Sequence, residues 1–276
     1  MNLVNSPFNY TGSKFKLLPQ LLPYLDYSKK TFVDVFTGGG SVYANVIDKY
    51  DTIIVNDIIK DLVGCHQLLG ENDDLFIRDV IACCVPKDNQ IAYNALRDDY
   101  NRFPAPCKLF ALMLCCTNNM LRFNKSFKFN QTFGKRTFNS KTQEKVDNFI
   151  VHVNPFKNKI KYKSVEFYEL LGNNAKNSMY YIDPPYFNTI AGYNSYWSRE
   201  HEKKLYIYIR QIHEAGGSFC LSGILGNHKG IPQSDVISQL IFDGFTVVNL
   251  NFNYNKVAKN KTSNTGQEII IKNYEN

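Results

Sequence analysis

The sequence has no apolar run of about 18 residues, the length that would cross a membrane as a helix. Residues 1–10 also lack a charged segment followed by an apolar one, which is the pattern of a secretory signal. Internal repeats, low-complexity tracts and flexible linkers are likewise missing from the sequence. We therefore expect a soluble intracellular protein that does not bind membranes.

No pair of cysteines has the C-x-x-C spacing that is typical of zinc sites and redox-active pairs. There are seven cysteines, an odd number, and four of them form two adjacent pairs. We expect reduced, mostly buried thiols rather than a disulfide framework or a bound metal ion. The seven are Cys65, Cys83, Cys84, Cys107, Cys115, Cys116 and Cys220.

The composition is typical of a globular protein, with 276 residues, 44% of them hydrophobic and 21% charged. A chain of this length can bury the core of one large domain, or of one domain that carries an insertion. The 32 basic and 25 acidic side chains give a net charge of +7, which favours a polyanionic partner. Aromatic residues make up 14% of the chain, and exposed aromatic rings can stack on bases.

The stretch at 180–186 combines a strand pattern with a carboxylate, two prolines and an aromatic ring. The apolar run 179–182 is typical of a buried strand in a parallel sheet. Each proline disfavours a helix at the residue before it, so the chain should leave the strand extended and rigid. Asp183 and Tyr186 would then lie at the carboxyl edge of the sheet, where open α/β folds bind ligands. An acceptor beside a flat ring suits a planar amine-bearing group, such as a nucleobase taken out of its stack.

The first strand pattern leads into a glycine-rich turn and a helix pattern, as in the first unit of a nucleotide-binding fold. Three consecutive glycines in the turn let the backbone approach a ligand closely. The dinucleotide fingerprint G-x-G-x-x-G fails because residue 43 is Tyr43. A second strand, 52–55, is followed by Asp57, a carboxylate placed to accept hydrogen bonds from a ribose. Either feature alone could be an ordinary turn, but together they favour a bound adenosine moiety. The strand, turn and helix are predicted at 31–36, 37–41 and 42–50.

Residues 8–25 contain a turn followed by an apolar-periodic, helix-like segment. Ser13 could cap that segment, which would place Lys14 in its first turn. A helix dipole favours anions at that end, so a cation there gains nothing from it. A ligand carboxylate or phosphate at the helix start would explain Lys14, and a solvated lysine is the alternative.

From residue 60 to 156 the alternation of strands and helices stops, and a helical insertion is expected. Its last part, 118–143, carries six basic side chains, five phenylalanines and no acidic residue. Alternating Phe and Lys over 127–129 and a turn at Gly134 predict a ribbon or hairpin. Such a surface suits phosphate and base contacts, and the alternative is a solvated loop that its phenylalanines anchor to the core. The absence of acidic residues favours nucleic acid. The helical periods lie at 61–69, 73–84, 90–100 and 107–121.

The alternation of strands and helices resumes after residue 157. Ser198 is a candidate N-cap for a helix at 199–215. A further helix is predicted at 236–242. The expected strands are 159–165, 179–182, 218–222, 246–251 and 268–272.

At Asp183-Pro184-Pro185-Tyr186 the chain resembles the amino-methyltransferases, and more narrowly the Dam-type DNA adenine methyltransferases of phages and bacteria. Four further blocks carry the resemblance, in the family's order. Two positions depart from the family's pattern, since Thr37 replaces a cysteine and Thr132 replaces a proline. The four blocks are Tyr10-Thr11-Gly12-Ser13-Lys14, Phe32-Val33-Asp34-Val35-Phe36-Thr37-Gly38-Gly39, Asn56-Asp57-Ile58 and Phe133-Gly134-Lys135-Arg136-Thr137.

The resemblance implies an α/β fold: a Rossmann-like S-adenosylmethionine-dependent methyltransferase domain at 1–59 and 157–276, with a helical and hairpin target-recognition insertion at 60–156. It implies duplex DNA as the substrate and a cytoplasmic location, in the host cell if the chain is encoded by a phage or virus. In the family, the arginine that matches Arg136 reads a guanine in GATC. S-adenosylmethionine would be bound by Tyr10, Lys14, Asp34, Phe36, Gly38, Gly39, Gly40, Ser41, Asp57, Ile58, Phe167 and Asp183. DNA would be contacted by Met120, Arg122, Asn124, Lys135 and Arg136.

The chemistry that we expect is methyl transfer to the exocyclic nitrogen of a flipped adenine. That nitrogen is a poor nucleophile because its lone pair is delocalised into the ring. Asp183 and the Pro184 carbonyl could accept hydrogen bonds from the amine and help to localise the lone pair, while Tyr186 stacks on the base. This reaction requires neither a metal ion nor a covalent enzyme intermediate.

Several alternatives stay open at this stage. Cytosine carbon methylation would need a cysteine nucleophile, for which Cys107 is a nominal candidate in the helical insertion. Methylation of a cytosine amine or of a protein glutamine goes more often with Ser-Pro-Pro-Tyr or Asn-Pro-Pro-Tyr. An RNA adenine target or a catalytically silent nucleic-acid-binding module would also suit parts of the sequence. The recognition word (GATC, CATG or another), the oligomeric state and a partner restriction endonuclease are not determined by the sequence.

Overall fold

A computed structural model describes residues 3–185, 197–225, 234–251 and 267–275 of the chain. Within these ranges a single mixed sheet runs through the molecule. Its strands are β1 (Thr31–Asp34), β2 (Thr52–Asn56), β3 (Ile160–Lys163), β4 (Ser178–Ile182), β5 (Ser218–Leu225), β6 (Thr246–Leu250) and β7 (Gln267–Lys272).

The strand order in the sheet is β3-β2-β1-β4-β5-β7-β6. Strands β1 to β5 pair in parallel, whereas β7 is antiparallel to both β5 and β6. The chain runs outward from β1 to β2 and β3 on one side and from β4 to β5 on the other, so the direction of the connections reverses between β1 and β4. A crevice opens at such a point, outside the carboxyl ends of the strands, and open α/β folds bind ligands there.

The α-helices of the described ranges complete the α/β fold that the sequence predicts. None of them combines the length and the apolar character that crossing a membrane requires. They are α1 (Leu18–Leu21), α2 (Ser41–Val46), α3 (Lys60–Glu71), α4 (Asp74–Cys83), α5 (Gln90–Arg102), α6 (Pro106–Cys115), α7 (Ser140–Val153), α8 (Arg199–Glu214) and α9 (Asp235–Phe242).

The period-two alternation of the strands divides the core into two clusters. Alternate strand residues such as Phe32 and Tyr181 pack with buried residues of α2, α3, α6 and α7 in one cluster. Their strand neighbours Val33 and Tyr180 belong to the second cluster, which includes α8 and α9. Helices α3 to α7 fall within the predicted insertion, and their buried residues share the first cluster with the sheet. The division of the chain into two domains remains a prediction.

Two predicted helices end earlier than the pattern suggests. Helix α2 ends at Val46 instead of residue 50, and the helix predicted to reach residue 121 ends at Cys115. The apolar pattern continues past Cys115, but the side-chain amide of Asn119 donates to the carbonyls of Met113 and Leu114, at 2.9 and 3.3 Å. These bonds satisfy carbonyl groups that the last turn of α6 leaves without helical partners.

The predicted hairpin is present, but its predicted turn is wrong. The bridges Cys116–Phe133 and Phe123–Phe129 pair two antiparallel segments, and the tip between them lies at 124–128. There the Asn124 side chain accepts hydrogen bonds from the backbone N–H of Ser126 (2.9 Å) and Lys128 (3.0 Å), which is the Asx-type turn that asparagine favours. Gly134, which was expected to form the turn, instead lies beside the Cys116–Phe133 bridge.

The seven cysteine thiols are free in the structure. The four buried cysteines are Cys65, Cys115, Cys116 and Cys220. The three half-buried cysteines are Cys83, Cys84 and Cys107.

Gly134 packs so closely against α6 that a side chain should not fit there. A Cβ at this position would lie 2.2 Å from the Cys116 carbonyl oxygen, and backbone atoms cannot move away cheaply. We expect Gly134→Ala to lower the free energy of unfolding by about 1–3 kcal/mol in denaturant titrations. Gly172→Ala is the matched control, because a Cβ there meets no atom within 4 Å. Equal stability of the two variants would show that the hairpin adjusts freely.

Candidate functional site

A cavity of about 260 Å³ opens at the carboxyl ends of β1, β2 and β4. The structure brings all of the predicted donor-binding residues to the wall of this one cavity, together with Pro184. Tyr186, which was predicted to stack on the base, lies outside the described residues. The cavity wall includes Tyr10, Lys14, Asp34, Phe36, Gly38, Gly39, Gly40, Ser41, Asp57, Ile58, Phe167, Asp183 and Pro184.

The glycine loop is held by the carboxylate of Asp57. Asp57 Oδ2 accepts the backbone N–H of Gly38 at 3.0 Å, and Oδ1 accepts that of Ile59 at 3.0 Å. Within the loop, the Gly40 N–H donates to the Thr37 carbonyl at 2.8 Å. Gly38 and Gly40 have φ angles of +49° and +76°, in the left-handed region that glycine adopts without strain. Asp57 therefore shapes the loop as well as lining the cavity.

Tyr10 lies directly over this loop and explains why small residues are needed there. A Cβ on Gly38 would come within 2.9 Å of the Tyr10 ring, and one on Gly39 within 2.8 Å of Tyr10 Cβ. The N-terminal turn is joined to the same loop by a hydrogen bond of 2.9 Å between the hydroxyls of Ser13 and Ser41. The first and second sequence blocks thus form one wall of the cavity.

Asp34 is a buried carboxyl group at the end of β1, with 1% of its surface exposed. Among the described residues, its Oδ2 atom has no hydrogen-bond partner. Burial raises the pKa of Asp34 well above its usual range, and the negative charges of Asp183 and Asp57 raise it further. A ligand that brings a hydrogen-bond donor or a positive charge into the cavity would satisfy this group.

Lys14 forms an ion pair with Asp183, from Nζ to Oδ1 at 2.7 Å. The lysine is 6% exposed, so the solvated alternative is wrong. Its segment is also not the start of a regular helix but a 3₁₀ turn, Lys14–Leu17, capped by Ser13. Burial by itself lowers the pKa of Lys14, but the charges of Asp183, Tyr181 and Glu268 and the hydrogen bond to Asp183 together outweigh it, so the pKa is raised. Lys14 is therefore a cation at neutral pH, and it fixes the orientation of the Asp183 carboxylate.

Aromatic rings also line the cavity. Phe36 lies 5.4 Å from Phe167 and 5.7 Å from Trp197, between ring centroids, and Trp197 packs edge-on to Phe36 at 80°. The indole N–H of Trp197 donates to Glu202 Oε1 at 2.6 Å, and the indole ring stacks on His201 at 5.3 Å. These flat apolar faces suit a purine ring. Sequence reasoning missed Trp197 and His201, although Trp197 is the only tryptophan of the chain.

The hairpin of the predicted insertion reaches the same cavity, because Phe127 at its tip lines it. The structure places the predicted DNA-contacting residues on or next to this hairpin. Lys135 and Arg136 are exposed, and the Arg136 guanidinium donates to Asn119 Oδ1. Asn124 is exposed but its side-chain oxygen forms the turn at the tip, while Met120 and Arg122 are half-buried. The Nε atom of Arg122 is buried, and no hydrogen-bond acceptor for it lies among the described residues.

No group of three or more His, Cys, Asp or Glu side chains in the described ranges is arranged to hold a metal ion. The polar groups of the cavity include carboxylates, hydroxyls, backbone amides, the side chains of Asn56 and His201, and Lys14. These groups can bind an organic cation or an amine and can orient a planar base.

Comparison with known proteins gives a consistent family. The model of D12 class N6 adenine-specific DNA methyltransferases matches residues 10–262 of the chain. Modification methylase StsI of Streptococcus sanguinis is 31% identical over 99% of this chain and 43% of its own length. Modification methylase LlaI of Lactococcus lactis subsp. lactis is 28% identical over 98% of this chain and 43% of its own length. Type II methyltransferase M.FokI of Planomicrobium okeanokoites is 29% identical over 99% of this chain and 43% of its own length. The chain thus spans less than half the length of these three relatives.

Removal of the Lys14 charge should destabilise the protein, because it breaks the ion pair with Asp183. We expect Lys14→Met to lower the free energy of unfolding by about 1–3 kcal/mol, less than for a fully buried pair because Asp183 is partly exposed. Lys16→Met is the matched control, since Lys16 lies in the same 3₁₀ turn but is exposed. Denaturant unfolding of both variants measures the difference. The same loss of stability in both would contradict a specific role for the ion pair.

Proposed function

The chain belongs to the D12 class of N6-adenine-specific DNA methyltransferases, and from this membership we propose that it transfers a methyl group from S-adenosylmethionine to N6 of an adenine in duplex DNA. The observation that carries the proposal is the position of Asp183. It directly follows β4, forms an ion pair with Lys14, and lines the same cavity as the glycine loop and Asp57. The carboxylate proposed to accept hydrogen bonds from the target base and the site proposed for the nucleoside of the donor therefore line one cavity.

The residues of the cavity fit S-adenosylmethionine. The buried Asp34 carboxyl, whose Oδ2 atom lacks a partner among the described residues, suits the cationic part of this donor. Asp57 can accept hydrogen bonds from the ribose, because each carboxylate oxygen has a second lone pair. Phe36, Phe167 and Trp197 offer flat faces to the adenine ring. When bound, S-adenosylmethionine supplies an electrophilic methyl group.

Asp183 activates the nitrogen that receives the methyl group. As an acceptor of the amine hydrogens, its carboxylate helps to localise the N6 lone pair, and the Pro184 carbonyl is the second acceptor. Lys14 holds the carboxylate in place, so little reorganisation is needed when the base arrives. Pro184 and Pro185 restrict the backbone that follows β4. Tyr186 would stack on the flipped base, and its position lies outside the described residues.

The DNA is proposed to bind across the hairpin. This part of the chain carries six basic and no acidic residues over 118–143, and the whole chain has a net charge of +7. Its tip residue Phe127 lines the cavity, so the bound duplex would lie close to the place where the base enters. Arg136 is exposed and is the candidate for reading a guanine of a GATC-like site.

Asp183→Ala should lower the rate of methyl transfer by roughly 10³-fold or more, because the acceptor for the amine is lost. Binding of labelled S-adenosylmethionine and of an adenine-containing duplex should stay measurable in this variant. The rate is measured as labelled methyl groups transferred to DNA by the full chain. A fully active Asp183→Ala protein would refute the mechanism, and wild-type protein that binds NAD but not S-adenosylmethionine would refute the choice of donor.

Arg136→Ala should relax sequence choice, by about 1–3 kcal/mol at one position if the guanidinium makes a bidentate contact with guanine. The measurement is sequencing of methylated adenines in DNA from cells that express the wild-type or variant chain alone. Lys141→Ala is the control, since Lys141 is an exposed basic residue of the same stretch. Its loss should weaken methylation of all sites alike. If Arg136→Ala also acts equally on all sites, Arg136 contacts phosphate rather than a base.

A further inference from the structure

Helix α3 places a histidine directly behind the glycine loop, outside the cavity itself. His66 is fully buried, with 0% of its surface exposed. Its Nε2 atom lies 2.9 Å from the Gly38 carbonyl oxygen, and its Nδ1 atom lies 3.1 Å from the Tyr43 hydroxyl. One ring thus connects α3 with the loop and with α2.

The partners of His66 determine its protonation. A carbonyl oxygen only accepts hydrogen bonds, so Nε2 carries the proton and donates to Gly38. Nδ1 is then the acceptor, and the Tyr43 hydroxyl donates to it. Burial lowers the pKa of His66 to about 4, so the ring is neutral at neutral pH. Both nitrogens are therefore used, and the direction of each hydrogen bond is fixed.

His66 and Asp57 hold the two sides of the same glycine. The Gly38 N–H donates to Asp57 Oδ2 at 3.0 Å, while the Gly38 carbonyl accepts from His66. The His66 ring also fills the space behind the loop, since a Cβ on Gly40 would lie 2.5 Å from His66 Cε1. The ring also packs edge-on against Phe8, at 5.0 Å between centroids, and lies 6.2 Å from the Phe149 ring. The shape of the loop is thus set from behind as well as from the cavity side.

We propose that His66 is a positioning residue for the methyl donor: by holding the Gly38 carbonyl, it keeps the loop in the shape that binds S-adenosylmethionine. This inference rests on the proposed function. Because α3 begins the predicted insertion, the segment that would read DNA and the loop that would bind the donor share a hydrogen bond. A histidine that only fills the core would have no such selective effect.

The test compares two substitutions of His66 in the full chain. His66→Phe keeps a flat ring but removes both hydrogen bonds, whereas His66→Gln retains an amide donor for Gly38 and an acceptor for Tyr43. The same pair at His152 is the matched control, because His152 Nε2 lies 2.9 Å from the Ala44 carbonyl. It thus also joins an insertion helix to α2, but its hydrogen bond is to α2 and not to the Gly38 carbonyl. Isothermal titration gives the Kd for S-adenosylmethionine, and initial rates give kcat and the KM values for donor and duplex.

His66→Phe should raise both the Kd and the KM for S-adenosylmethionine by about 10-fold, as expected for the loss of a buried hydrogen bond that leaves its partner unsatisfied. Its kcat at saturating donor and its KM for the duplex should stay within about 3-fold of wild type. His66→Gln should recover most of the donor affinity, and both His152 variants should bind the donor as wild type does.

The proposal is overturned if His66→Phe binds the donor as tightly as wild type, if donor and duplex binding weaken equally, or if His66→Gln is no better than His66→Phe. Should His66→Phe fail to fold, Tyr43→Phe removes only the hydroxyl that donates to Nδ1, and it should raise the donor Kd by about 3-fold. An unchanged Kd in that variant also overturns the proposal. Wild-type protein that binds no S-adenosylmethionine would instead overturn the proposed function, so the two failures are distinguishable.

Discussion

The parallel pairing of β1 with both β2 and β4 is the constraint on which the cavity depends. It brings the ends of three strands to one edge of the sheet, and each end supplies a carboxyl group: Asp34, Asp57 and Asp183. Three acidic groups in a partly dry cavity would repel one another without compensation. Lys14 compensates Asp183 directly, backbone N–H groups bind Asp57, and burial raises the pKa of Asp34. The carboxyl groups of Asp34 and Asp57 therefore favour a ligand that carries a positive charge.

Much of this edge is predictable from the sequence, because strand ends and turns are local features. The apolar run before Asp183, the consecutive glycines after β1 and the acidic residue after β2 each indicate their own position at the carboxyl edge. The order of the five blocks indicates a DNA adenine methyltransferase, and the match to the D12 class confirms that resemblance. The cap at Ser198 is also confirmed, since its side chain accepts the backbone N–H of His201.

The contacts that complete the site join residues far apart in the chain, and no local pattern reveals them. Lys14 and Asp183 are 169 residues apart, so the sequence predicts a ligand anion beside Lys14, whereas its partner in the structure is the carboxylate of Asp183. Sequence patterns also do not predict the end of a helix or the position of a turn where a single polar side chain determines it. Asn119 binds the last carbonyls of α6 although the apolar period continues, and Asn124 forms the hairpin tip in place of Gly134. The period of the apolar residues indicates which side chains are buried, but not which backbone carbonyls have hydrogen-bond donors.

The predicted insertion contributes to the cavity as well as to the basic surface that is proposed to bind DNA. Its first helix holds the Gly38 carbonyl through His66, and the tip of its hairpin brings Phe127 to the cavity wall. Its helices also share a hydrophobic cluster with the sheet, so they cannot shift without disturbing packed side chains. A shift of the hairpin would therefore disturb the wall of the cavity. In the proposed function, this contact would place the segment that carries the basic residues beside the cavity in which the methyl donor binds.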